Sequence, residues 1–172
     1  MAPVEALAET SGGITYDCDT AADHFSDLVI PAGSVPFKVT GRVKLMTIAA
    51  SKAFVPMTRL TISNASDQPG ASNEGGAGFE LMIAPVHNGK PPTLAMISST
   101  TQEKGKDVVS KVLNMPAAPE AAFSLTYDGA AVTLDVDGHD AQLAFVAARP
   151  VVRIMCSTGE FLYTDLAVHP GK

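Results

Sequence analysis

From Ile14 onward, apolar residues recur at every second position, and the runs stop at turn-forming glycines. Ile14, Tyr16 and Cys18 alternate, and then Phe37, Val39, Gly41, Val43 and Leu45 do so over a longer stretch. Leu60 and Ile62 follow, then Phe79, Leu81 and Ile83, then Leu94 and Met96, and a shorter run spans Val108 to Leu113. Phe123, Leu125 and Tyr127 lead into Asp128-Gly129, and Val132, Leu134 and Val136 lead into Asp137-Gly138. Val152, Ile154 and Cys156 run into Ser157-Thr158-Gly159, and Phe161, Tyr163 and Asp165 open a last strand. A strand turns successive side chains to opposite faces, so this period of two predicts strands with one face buried. An Asp-Gly pair supplies the positive φ that a tight hairpin needs. About eleven strands at this spacing predict an all-β fold, a two-sheet antiparallel sandwich of jelly-roll type. Helical periodicity is nearly absent; only residues 3–10 and 19–26 offer a turn or two of helix. Residues 1–12 read as a flexible or briefly helical arm, and residues 13–172 as one β-sandwich domain.

A chain of 172 residues is long enough to bury a core without staples. No apolar run approaches the roughly 20 residues of a membrane-spanning helix, which predicts a soluble protein. The opening Met1-Ala-Pro-Val-Glu-Ala-Leu-Ala-Glu has neither a basic nor an apolar signal region, so the cytoplasm is the favoured compartment unless a signal has been removed. The net charge is acidic at −6, and the 12 Lys and Arg are scattered singly. Nucleic-acid binding needs a basic stripe that neutralises phosphates, and none exists here. Cys18 and Cys156 form no Cys-x-x-Cys motif, which excludes a zinc or thioredoxin-type site. They read as ordinary buried thiols, with a disulfide between the first strand and a late one as the alternative. That bond would call for an oxidising compartment.

The unit Phe123-Ser-Leu-Thr-Tyr-Asp-Gly followed by Val132-Thr-Leu-Asp-Val-Asp-Gly resembles the hairpin pair of concanavalin A-like (laminin G-like) jelly rolls. Gly13-Ile-Thr-Tyr-Asp-Cys and Phe37-Lys-Val-Thr-Gly-Arg-Val are similar to that superfamily's opening strands, and Ile154 to Val168 to its closing strands. The resemblance implies a fold shared with lectins and glucanases, one sheet being concave with a ligand on its outer face. The sequence lacks the Glu-x-Asp-x-x-Glu strand of the members that hydrolyse β-glucans. It also has no Trp and three Tyr, where sugar-binding members use aromatic platforms.

If the alternating apolar residues face inward, the outward faces carry Arg42, Lys44, Arg59, Glu80, Met82, Arg153 and Met155. Arg42, Arg59, Glu80 and Arg153 are the candidate ligand residues, since a guanidinium forks onto carboxylate or hydroxyl oxygens. Solvated Arg and Lys on an ordinary sheet surface are the simpler account of the same pattern. A second copy of the chain packing on Val151 and Met155 is a third. The run from Asp17 through Asp19 and Asp23 to Asp27 is the densest acidic cluster, and Asp17, Asp19 and Asp23 are its candidate calcium ligands, since calcium takes several closely spaced oxygens. Aspartates are equally at home in turns. Asp135, Asp137, His139 and Asp140 form a second acidic group of the same ambiguity. His24, His87, His139 and His169 fall in expected loops or at the terminus, and no Gly-x-Ser-x-Gly elbow marks a hydrolase. The segment from Asn64 to Gly78, rich in Ser, Asn, Gly and Asp, is the longest expected loop and could face a ligand.

Three functions fit. The first is a non-catalytic module that holds a carbohydrate-like or acidic small ligand, or a protein partner, on a concave sheet face, with no cofactor. The second is a lyase or isomerase that works in a cavity with Tyr, His or Asp for proton transfer. The third is a structural subunit of a homo-oligomer.

Overall fold

The computed structural model describes residues 13–65, 75–84, 89–101, 106–117 and 120–171, and these form twelve strands in two antiparallel sheets. The first sheet runs, in spatial order, β1 (Ile14–Asp19), β12 (Gly159–Pro170), β3 (Phe37–Ile48), β8 (Ala121–Tyr127), β9 (Ala131–Val136) and β10 (His139–Ala144). The second runs β2 (Phe25–Pro31), β11 (Pro150–Ser157), β4 (Met57–Asn64), β5 (Gly76–Ile83), β6 (Thr93–Thr101) and β7 (Asp107–Pro116). The chain passes between the sheets at both ends and stays within one sheet from β4 to β7. This is the jelly-roll sandwich that the alternation implies.

The core lies between the sheets. Phe37, Val39, Val43, Leu125, Tyr127, Leu134, Phe161 and Tyr163 of the first sheet meet Leu60, Ile62, Phe79, Leu81, Met96, Val152 and Ile154 of the second, all at 2% exposure or less. Fully burying each Leu, Ile or Phe stabilises by roughly 1.5–3 kcal/mol. Phe79 and Phe123 meet across the interface with ring centroids 5.5 Å apart and planes tilted by 50°, and Phe123 meets Tyr163 edge-on at 6.0 Å. Burial holds the Tyr163 phenol well above its ordinary range, and its hydroxyl bonds to Thr58 Oγ1 at 2.7 Å.

Asp137 and Gly138 both adopt positive φ, at 49° and 79°, the geometry of a two-residue hairpin turn, and they join β9 to β10. Asp128 caps the preceding turn by accepting the N–H groups of Ala130 and Ala131 at 2.8 Å, which lowers its pKa. Asp135 accepts the Gly138 N–H and Asp137 that of Ala122, so the second acidic group is turn and edge chemistry.

Several expectations are corrected. The two cysteines are not free thiols; they form a disulfide across the core, from β1 in one sheet to β11 in the other. Residues 19–26 make no helix, because a turn around Asp23 (φ 64°) leads directly into β2. Residues 3–10 lie outside the described residues. The loop beginning at Asn64 ends sooner than its composition implies, since Gly76, Ala77 and Gly78 already pair with β4. His139 opens β10, and His169 lies in β12 against Thr40 Oγ1 at 2.8 Å; neither is a loop residue. His87 lies outside the described residues. The alternation of β12 breaks at a bulge, where Asp165 takes φ 52° and turns outward while Leu166 goes in at 2% exposure.

Candidate functional site

The strand register lays out the outer face of the second sheet row by row. One row runs Asp27, Met155, Arg59, Glu80, Ile97, Val112 across the six strands. The next runs Val29, Arg153, Thr61, Gly78, Ser99, Val109, and the one beyond it Pro31, Val151, Ser63, Gly76, Thr101, Asp107. Exposure falls from the edges to the middle: Val29 and Val112 are more than half exposed, whereas Thr61, Ser63 and Glu80 are buried. Outward-facing residues buried in mid-sheet describe a trough.

A groove of about 320 Å3 lies there, lined by Phe25, Arg59, Thr61, Ser63, Gly75, Gly76, Thr101, Arg153 and Met155. It touches five adjacent strands, or four inter-strand spacings of about 4.8 Å each. Its floor is low because of glycine. A Cβ on Gly76 would stand 2.7 Å from Ser63 Oγ and project into the groove, and one on Gly78 would stand 2.0 Å from the Leu60 carbonyl. Glycine inside a strand weakens it, and its common reason is close approach of a backbone or a ligand.

Both groove arginines are held by carboxylates. Arg59 donates from Nε and Nη2 to Glu80 Oε2 at 2.9 and 2.7 Å, and Glu80 is only 7% exposed. Arg153 donates from Nε and Nη2 to both oxygens of Asp27 at 2.6 to 3.0 Å. Such pairing fixes each planar guanidinium in place. Thr61 Oγ1 and Ser63 Oγ are 2.8 Å apart and share one hydrogen bond, and Thr101 donates to Asp107 Oδ1 at 2.6 Å.

Of the four expected ligand residues, the structure therefore brings together Arg59, Glu80 and Arg153. Arg42 does not join them. It stands on β3 of the opposite sheet, ion-paired with Glu120 at 3.1 Å and with its side chain half exposed. Lys44 shares that sheet. The expected acidic metal cluster does not converge either. Asp17 and Asp19 point outward from β1, Asp23 is engaged by Ser51, and among the described residues no three His, Cys, Asp or Glu side chains approach closely enough to hold an ion. Phe25, Thr61, Ser63 and Thr101 are the groove residues that the sequence did not single out, whereas Gly76 lies in the Asn64 to Gly78 segment expected to face a ligand. The doublet Gly76-x-Gly78 was the signal available for the floor.

No family model matches the chain, and no curated protein matches its sequence. Solved structures do. The carbohydrate-binding module CBM66 from Bacillus subtilis superposes with a TM-score of 0.53 at 10% identity, over 93% of each chain. A functionally unknown protein from Saccharomyces cerevisiae superposes at 0.52 with 12% identity, over 100% of this chain and 96% of that one. Likeness at such identities is one of fold, and the fold is the jelly-roll β-sandwich.

Proposed function

We propose that this chain is a non-catalytic binding module that holds a carbohydrate-like or acidic small ligand in the groove on the outer face of its second sheet. The observation that carries this reading is the pair of carboxylate-anchored guanidiniums, Arg59 and Arg153, above a floor of glycine and hydroxyl groups. Guanidinium and hydroxyl donors with fixed geometry, beside an exposed aromatic ring such as Phe25, are what a polyhydroxylated ring needs for orientation and for apolar contact. The Bacillus subtilis protein of the same fold is a carbohydrate-binding module, which supports the same direction. Proton-transfer chemistry would call for a Tyr or His against an Arg. Among the described residues the groove lining contains neither, and the phenol of Tyr163 lies in the core.

An assembly role keeps one observation in its favour. Val108, Val109 and Val112 are each about half exposed or more on β7, an edge strand. The disulfide favours an oxidising compartment over the cytoplasm, since such bonds persist there.

The test is thermal unfolding against oligosaccharides, small carboxylates, and calcium with a chelator control. Ligand at about 100 times its Kd adds roughly 2.7 kcal/mol, and for a chain of this size that raises the Tm by about 5–11 °C. Phe25 is 72% exposed, so Phe25→Ala should fold as the parent does while losing most of that shift. A panel that leaves the Tm unmoved would remove the groove as a binding site and turn attention to the β7 edge.

A further inference from the structure

The charges around the groove discriminate between the two ligand classes left open above, and we propose that the site selects neutral saccharides and rejects acidic ones. The inference rests on the binding reading and narrows it.

Arg59 and Arg153 look like an anion site only until their partners are counted. Glu80 cancels Arg59 through two bonds to one oxygen, and Asp27 cancels Arg153 through both of its oxygens. At the far end of the groove, Asp107 accepts the Thr101 hydroxyl proton and adds a third carboxylate. The five charged groups therefore sum to −1 on a chain that already carries −6. An incoming carboxylate would lose its hydration beside three anions, and both guanidiniums that line the groove already hold a carboxylate.

The hydrogen-bonding pattern points the same way. Thr101 donates its only proton to Asp107, so it presents lone pairs to the groove. Thr61 and Ser63, at 8% and 5% exposure, have two hydroxyl protons and share one bond, so one buried donor has no partner among the described residues. Glu80 occupies the Nε/Nη2 edge of Arg59. The guanidinium is planar with five N–H donors, so its Nη1 side remains for another acceptor. The site thus offers acceptors at one end and donors in the middle. A sugar hydroxyl both donates and accepts and satisfies each in turn, whereas a carboxylate only accepts and leaves the Thr101 end opposed by lone pairs.

The experiment titrates the intact protein with neutral oligosaccharides and with uronic-acid oligosaccharides of equal length, at low salt and at about 0.15 M salt. Neutral ligands should bind with an affinity that salt leaves unchanged, and acidic ones at least about tenfold more weakly. In the Glu80→Gln/Asp27→Asn double variant the amide oxygens still accept from the guanidiniums, but two negative charges are gone. Acidic oligosaccharides should then gain about tenfold or more at low salt and lose that gain as salt rises. Asp27→Asn alone, on the edge strand β2 and in an ion pair about a quarter exposed, leaves the core untouched and should show the same change at smaller size. Acidic ligands that bind the parent protein as tightly as neutral ones would overturn the charge argument and leave the groove a binding site. A parent protein that binds neither class would overturn the binding reading itself.

Discussion

Cutting the Cys18–Cys156 bond tests the architecture most directly, because the bond joins positions 138 residues apart and ties one sheet to the other. In the chain-entropy account, a cross-link closing a loop of that length removes freedom from the unfolded chain worth about 5 kcal/mol. The double variant Cys18→Ala/Cys156→Ala removes the cross-link without leaving a neighbouring hydroxyl unpartnered. The Tyr16 hydroxyl, 3.5 Å from Cys18 Sγ, keeps Ser26 Oγ at 2.8 Å. Thr58 Oγ1, 3.1 Å from Cys156 Sγ, keeps the Met155 carbonyl and the Tyr163 hydroxyl. Both sulfurs belong to residues at 0% exposure, so a small void adds to the loss rather than offsetting it. At about 2–4 °C per kcal/mol, the Tm should fall by roughly 10–20 °C. Urea unfolding should show a lower midpoint and a steeper dependence on urea, since the uncrosslinked chain exposes more surface. The same change should follow when the parent protein is unfolded with a thiol reductant. Two titratable thiols in the denatured, unreduced parent, or a midpoint unmoved by reductant, would refute the reasoning.

Substitutions at Tyr163 and at the Arg59–Glu80 pair read the buried polar groups. Burial raises the Tyr163 pKa above its ordinary value of 10.0, so its contribution to stability is complete below that pH and is lost as pH rises through the folded-state value. The parent's urea midpoint should therefore decline above about pH 10, and Tyr163→Phe should flatten that decline while costing about 1 kcal/mol at neutral pH. Arg59→Ala should destabilise by about 1–3 kcal/mol, because it strands the buried Glu80 carboxylate while the arginine itself is partly exposed to screening solvent. Arg59→Met with Glu80→Leu should restore the midpoint to the parent's value or above, and a urea double-mutant cycle that finds no coupling would show that the pair does not interact.

Alternation made the sandwich legible in the sequence because central strands bury one whole face. Phe37 to Leu45, Phe123 to Tyr127 and Val132 to Val136 declare themselves without help. The strands that escaped notice lie on edges. In β2 the outer face carries Phe25 and Val29 as well as Asp27, so apolar residues stand on both sides and the period is blurred. In β10 only Leu143 is buried. Arg59, Glu80 and Arg153 were legible as outward residues on strands. Alternation says which face of a strand is out but not which sheet the strand joins, so it could not separate them from Arg42. The depth of the groove was hidden for a related reason. It depends on strands β4 and β5 lying in mid-sheet, a fact set by long-range pairing and not by either strand's own residues.

The two sheets share a core, so the contrast between their outer faces bears on function. The first sheet shows what stability alone requires: Arg42 and Lys44 stand in solvent, and Arg42 pairs with exposed Glu120 at little gain or cost. The second sheet does otherwise. It keeps an ion pair whose acid is 7% exposed, two buried hydroxyls with one bond between them, and two glycines facing those hydroxyls across β4 and β5. Each choice is unfavourable by the rules that build the rest of the sandwich. Burying a charge pair costs several kcal/mol per ion before its attraction repays it, and apolar residues of the same volume often do better. Glycine in a strand interior is weaker than a β-branched residue there. Local rules broken together in one patch are the pattern expected of a functional surface, and they support the binding site proposed above. The patch coincides with the groove, and the groups it concentrates are those that orient a polar ligand.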